Sequence, residues 1–91
     1  SSVCIEALFF RKPLVVADRE FNREILGKYA IYCDPFSIRS CYEAIESAYK
    51  IKENAEYLEA ARNYICAKYG GYDCRYTNIK KILMSLTNDL R

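Results

Sequence analysis

The period of the hydrophobic positions changes along the chain, and each change predicts an element. Val3 to Phe10 is followed by Arg11, Lys12 and Pro13. The two cations complement the negative end of a helix and proline cannot continue one, so this run reads as a helix terminus. Pro13-Leu14-Val15-Val16-Ala17 is continuous, apolar and partly β-branched, the pattern of a strand buried on both faces of a parallel sheet. Asp18 breaks it. Phe21 to Leu26 supplies roughly one and a half helical turns, and Gly27 suits the left-handed position that ends a helix. A second strand, Tyr29 to Cys33, comes next.

Beyond it the pattern turns helical. Asp34-Pro35 ends the strand, because proline pushes its predecessor out of helical space, and Ser37 is placed to cap the next helix. Ile38, Cys41, Ala44, Ile45 and Ala48 recur at three- and four-residue steps, giving one apolar face on a helix of about eleven residues. A second helix spans Asn54 to Tyr69, with Leu58, Ala61 and Ile65 on one stripe, Tyr57 and Tyr64 beside it, and Gly70-Gly71 as its stop. Thr77 caps a third, whose Ile79, Ile82, Leu83, Leu86 and Leu90 form its buried side. Two buried strands joined by a crossover mark a doubly wound α/β sheet. Two strands alone cannot cover both faces, so further strands are expected before Ser1 or from a partner.

Composition narrows the function classes. The chain has 91 residues, 52% of them apolar and 29% charged, with 3 Gly and 2 Pro, which fits one small globular domain or a piece of a larger one. That size leaves little room for both an active site and a lid. No run approaches the ~20 apolar residues of a membrane span, and no signal peptide is recognisable, so a soluble, unexported chain is expected.

The net charge of +2 is too weak a field to argue for phosphate-backbone binding. Lys50, Lys52, Lys68, Lys80 and Lys81 are interrupted by Glu53, Glu56 and Glu59, so no nucleic acid is expected as a partner. The 9 tyrosines read as packing rather than stacking platforms. Cys4, Cys33, Cys41, Cys66 and Cys74 form no CxxC, and there is no His. Zinc spacing is therefore absent, and an odd count suits reduced cytosolic thiols better than a secreted disulfide framework. Lack of His also removes the commonest general base. Gly27, Gly70 and Gly71 match neither GxGxxG nor a P-loop.

Four motifs in register carry a resemblance. They are Ile5-Glu6-Ala7-Leu8, then Lys12-Pro13-Leu14-Val15-Val16-Ala17, then Arg23-Glu24-Ile25-Leu26-Gly27, then Ala30-Ile31-Tyr32-Cys33-Asp34-Pro35-Phe36. In order and spacing they resemble the C-terminal end of group 1 glycosyltransferases of the GT-B fold, which carry E-G-F-G-x-x-x-x-E-A, G-K-P-V-V, R-E-I-L-G and a D-P turn before closing helices. The match is strong from Ile5 to Ala48 and rests on helix order after that. The resemblance implies an α/β fold: an incomplete Rossmann-like donor domain with two parallel strands, a crossover helix and three C-terminal helices. Residues 1–91 would be the C-terminal half of the nucleotide-sugar-binding domain, with the strand and helix part over 1–48 and the closing helices over 49–91, and without the N-terminal acceptor domain.

The same resemblance implies a sugar transferred from a UDP- or GDP-sugar to a glycan, lipid or other acceptor. The reduced thiols point to a cytoplasmic location, the resemblance leaves the membrane surface open through lipid-linked acceptors, and neither cofactor nor metal is expected. Glu6 falls on the second glutamate of the family's pair and would accept hydrogen bonds from the ribose hydroxyls of the donor. Asp18 is a second substrate-binding candidate, because ligands of open α/β folds gather at the carboxyl ends of the strands; as a turn residue it would cap Phe21 to Leu26. No catalytic residue is assigned. Arg23 and Glu24 read as structural. The chain departs from the family in two respects: Arg11 stands where it has glycine at the helix end, and Ser1 to Cys4 hold no Gly-Phe-Gly. The alternative, from a different class, is a small non-catalytic helical interaction or dimerisation module that pairs exposed strand edges.

Overall fold

The computed structural model describes residues 2–69 and 83–86. Helix α1, Ser2–Phe9, ends in a paired hydrogen-bond closure: the Lys12 N–H donates to the Ala7 carbonyl at 2.9 Å and the Arg11 N–H to that of Leu8 at 3.1 Å. This Schellman ending requires a left-handed residue at its penultimate position. Arg11 supplies it, with φ 58°. The chain then forms strand β1, Val15–Ala17, helix α2, Glu20–Leu26, a 3-10 turn over Gly27–Tyr29, and strand β2, Ile31–Cys33. The strands are parallel, with Val15 opposite Ile31, Val16 opposite Tyr32 and Ala17 opposite Cys33.

The fold is thus mixed helix and strand, mostly helical, with the parallel pair and crossover helix expected from the hydrophobic pattern. Both strands are shorter than expected. Pro13 has no N–H to give a ladder, so pairing starts where the Ile31 N–H reaches the Leu14 carbonyl at 2.8 Å, and Tyr29 belongs to the 3-10 turn. Nor is β1 sealed on both faces: its three residues are half-buried. Among the described residues each strand is paired along one edge only.

Alternation along the strands assigns their faces. Val16 and Tyr32, which share a register position, pack with Leu14 against a core of Ile5, Leu8, Leu26, Ala30, Ala61 and Ile65. Leu8, Leu26 and Ile65 are essentially inaccessible, and truncating such a side chain to Ala typically costs about 2–5 kcal/mol. Cys33 faces the other way, toward helix α3, Ile38–Ile51. Ser37 caps α3 as expected, its hydroxyl accepting from the Ser40 N–H at 3.1 Å. The helix outruns the eleven expected residues because Tyr49, Lys50 and Ile51 contain no breaker. Its apolar face is only partly covered: Ala44 is buried, whereas Ile38 and Ile45 are 90% and 52% exposed.

Helix α4, Ala55–Lys68, is capped by Asn54, whose carboxamide oxygen accepts from the Tyr57 N–H at 3.0 Å. It buries Leu58, Ala61 and Ile65 against α1 and the crossover unit, as their spacing predicts. In the third expected helix, residues 83–86 are helical, but Leu83 and Leu86 are exposed instead of buried. Periodicity identifies an apolar face without specifying what covers it. Thr77, Ile79, Ile82 and Leu90, and the Gly70-Gly71 stop, lie outside the described residues. No helix among the described residues is long and apolar enough to cross a membrane.

Candidate functional site

Parallel pairing brings the carboxyl ends of both strands to one rim. Asp18 follows Ala17 and Asp34 follows Cys33, and the Asp18 N–H extends the ladder by donating to the Cys33 carbonyl at 2.8 Å. The loop after β1 is then fixed by the first turns of α2. Asn22 donates its Nδ2 to the Ala17 carbonyl at 2.9 Å, and Arg23 grips Asp18 with two bonds, Nε to Oδ1 at 2.5 Å and Nη2 to Oδ2 at 3.0 Å.

Arg23 also lies over the Tyr32 ring, with its guanidinium carbon 4.2 Å from the centroid. Tyr32 in turn donates its hydroxyl to the Gly27 carbonyl at 2.5 Å. This corrects the capping role for Asp18: Arg19 takes the N-cap position of α2 and makes no side-chain cap hydrogen bond, and the Asp18 carboxylate is turned to Arg23. The hydrogen bond from Arg23 holds the Asp18 carboxyl below the usual carboxylate range, so through the neutral range it is an acceptor.

The loop after β2 is an Asp turn. Asp34 Oδ1 accepts from the Phe36 N–H at 3.0 Å, its carbonyl from the Ser37 N–H at 3.0 Å, and its own N–H donates to Ser40 Oγ at 2.9 Å. The bonds confirm the turn assigned to Asp34 and Pro35. Behind it the Cys33 and Cys41 sulfurs stand 3.9 Å apart. Burial pushes the Cys33 thiol up. Groups of this kind suit holding a polar ligand better than moving protons.

Glu6 stands elsewhere. It lies on α1, half-buried, between the core residues Ile5 and Leu8, and α1 packs chiefly on α4. Arg11 joins the same two helices through an ion pair with Glu59 at 2.5 Å, and Arg62 covers the Phe9 ring at 4.8 Å. The two sequence-derived candidates therefore sit on different elements. Sequence reasoning missed the binding of Arg23 to Asp18 and Tyr32, for which the only signal was an opposite charge one helical turn into α2. It also missed the Cys33 and Cys41 pair, whose signal was two thiols either side of a D-P turn.

Among the described residues no cluster of His, Cys, Asp and Glu is placed to hold a metal ion. Compared with family models, curated proteins and solved structures, the chain matches none of them.

Proposed function

We propose that the chain is the C-terminal half of the donor-binding domain of a GT-B glycosyltransferase, taking a nucleoside-diphosphate sugar and passing the sugar to a glycan, lipid or other acceptor held by a further domain. The observation that carries this reading is the ending of α1. The motif that resembles the family calls for glycine at position 11, and Arg11 adopts the φ of 58° for which glycine is the natural residue. A backbone that keeps a glycine's conformation after losing the glycine is what a divergent member would retain. The parallel β1 and β2 with a helical crossover, and the turn at Asp34, support the same reading.

Glu6 would receive the ribose hydroxyls. Asp18 has both oxygens engaged by Arg23, so a donor would meet only its remaining lone pairs. Calorimetric titration of the chain with UDP and with GDP tests the reading. Saturable binding, weakened roughly ten- to hundredfold in Glu6→Ala as expected for loss of a charged hydrogen bond, is the expected result. Binding untouched by the substitution removes Glu6 from the site, and no saturable binding of either nucleotide contradicts the reading.

One observation favours the interaction module. Ile38, Tyr42, Ile45 and Tyr49 succeed each other along α3 at steps of four, three and four residues, and they are 90%, 62%, 52% and 62% exposed. This is the spacing of a coiled-coil seam. Laid antiparallel on a second copy, α3 sets Ile38 against Tyr49 and Tyr42 against Ile45, and brings the flanking Arg39 near Glu46 of the partner. The dimer would then use α3 rather than the strand edges. Under this reading Arg39→Glu and Glu46→Arg each weaken dimerisation in sedimentation experiments and the double exchange restores it; a monomer at every accessible concentration ends it.

A further inference from the structure

Cys33 closes β2 and Cys41 stands in the first turns of α3, so the Asp34 turn and the first residues of α3 separate them. That turn is tied at both ends, by the Ser40 hydroxyl on the Asp34 N–H and by the Ser37 cap. The two sulfurs, already 3.9 Å apart, need to approach by roughly 2 Å to reach bonding distance. Rotation of the Cys41 side chain about its own Cα–Cβ bond moves its sulfur on this scale while α3 stays in place. Access is unequal: Cys33 is 8% exposed, whereas Cys41 is half-buried and also donates toward the Asp34 carbonyl at 3.5 Å.

We propose that Cys33 and Cys41 form an oxidation site, converted by a low-molecular-weight disulfide such as oxidised glutathione into an intramolecular disulfide that clamps α3 to the carboxyl rim of the sheet. The accessible Cys41 reacts first. Its thiol gives its proton to solvent and its sulfur attacks one sulfur of the glutathione disulfide. That S–S bond breaks, and one glutathione thiolate leaves with the electron pair and takes up a proton. Cys33 then loses its proton and attacks the Cys41 sulfur, displacing the second glutathione thiolate. Two protein thiols are thereby oxidised to one disulfide, while one glutathione disulfide is reduced to two thiols. Burial keeps Cys33 protonated at neutral pH, so the second step quickens as the pH rises. Neither step depends on what the chain binds.

Peptide mapping tests the site without any substitution. Trypsin cuts after Lys28, Arg39 and Lys50 and so places the two cysteines in separate peptides, 29–39 and 40–50. After exposure to oxidised glutathione at about pH 8.5, the ordinary thiol pKa, and blocking with N-ethylmaleimide in denaturant, the chain should lose two blockable thiols from its total of 5. The two peptides should run as one linked species that dithiothreitol separates. Cys33→Ser should stop at a glutathione adduct on Cys41. All thiols still blockable after oxidation, linkage of either residue to Cys4, Cys66 or Cys74 instead, or an adduct that persists on Cys41 of the unsubstituted chain would each overturn the proposal.

Discussion

Among the described residues two carry backbone conformations that side chains resist, and they respond to substitution in opposite directions. Gly27 has φ 56° and ψ −130°. Its φ is positive as its place after a helix suggests, but its ψ lies outside the left-handed helical well, in a region open to glycine. A Cβ there would also stand 3.1 Å from the Tyr64 hydroxyl. Gly27→Ala should therefore destabilise the chain by about 1–3 kcal/mol, read from urea unfolding. Arg11 is the converse, a bulky residue in a glycine's conformation. Arg11→Gly relieves the backbone and loses an exposed pair with Glu59, of the kind that contributes little. A Tm raised by roughly 2–5 °C is expected. A fall in Tm would mean that the pair, not the turn, fixes the end of α1.

Among the described residues, α2 is tied to its neighbours by polar contacts at both ends. Lys68 of α4 donates to the Glu24 carbonyl and, at 3.3 Å, to that of Ile25, while Tyr64 donates to Ile25 at 3.4 Å. The carboxyl end of α2 is thus satisfied by side chains of α4, as helix ends require. Its amino end is held through the pair of Arg23 with Asp18. Because that pair lowers the Asp18 pKa in the folded chain, its stabilisation is present above the ordinary carboxylate range and is lost as pH falls through the lowered value. The same sign applies to Glu59 beside Arg11. Thermal melts should show stability declining below about pH 4. The decline should be shallower in Asp18→Asn and in high salt, since both pairs are exposed and screened. An acid limb unchanged by the substitution would mean that the pair does not hold α2.

These elements were legible in the sequence where a local signal suffices. Pro13 after Lys12, the β-branched Val15 and Val16, Ser37 before an apolar period and the stripe of Leu58, Ala61 and Ile65 each carry a chemical reason for the element they mark. Coverage was less legible. Ile45 and Leu83 have the same periodicity as Ile65, yet only Ile65 is buried, because the period reports an apolar face while the neighbour across it is set by the fold. The candidate site was legible only in part for the same reason. Asp18 could be placed at a strand end, but its engagement by Arg23 depends on how α2 turns back over β1.

At the scale of the whole molecule, a parallel pair with helices α1, α2 and α4 on one face and α3 on the other leaves two surfaces of different character. The carboxyl rim is polar and its groups are fixed by hydrogen bonds. One stripe of α3 exposes Ile38, Tyr42, Ile45 and Tyr49, and Ile45 and Tyr49 line with Pro13 an open cleft of about 140 Å³. On the proposed donor-domain reading a nucleotide held by Glu6 would reach the first, and on the alternative reading the α3 of a second copy would cover the second. The measurement that separates them is an amide chemical-shift map of the chain titrated with UDP. Shifts that saturate at Glu6 and in the loops after Ala17 and Cys33, with α3 beyond Tyr42 unmoved, are the result expected of a donor-binding half-domain. Spectra that stay unchanged at saturating nucleotide, or shifts confined to the outer side of α3, would contradict it.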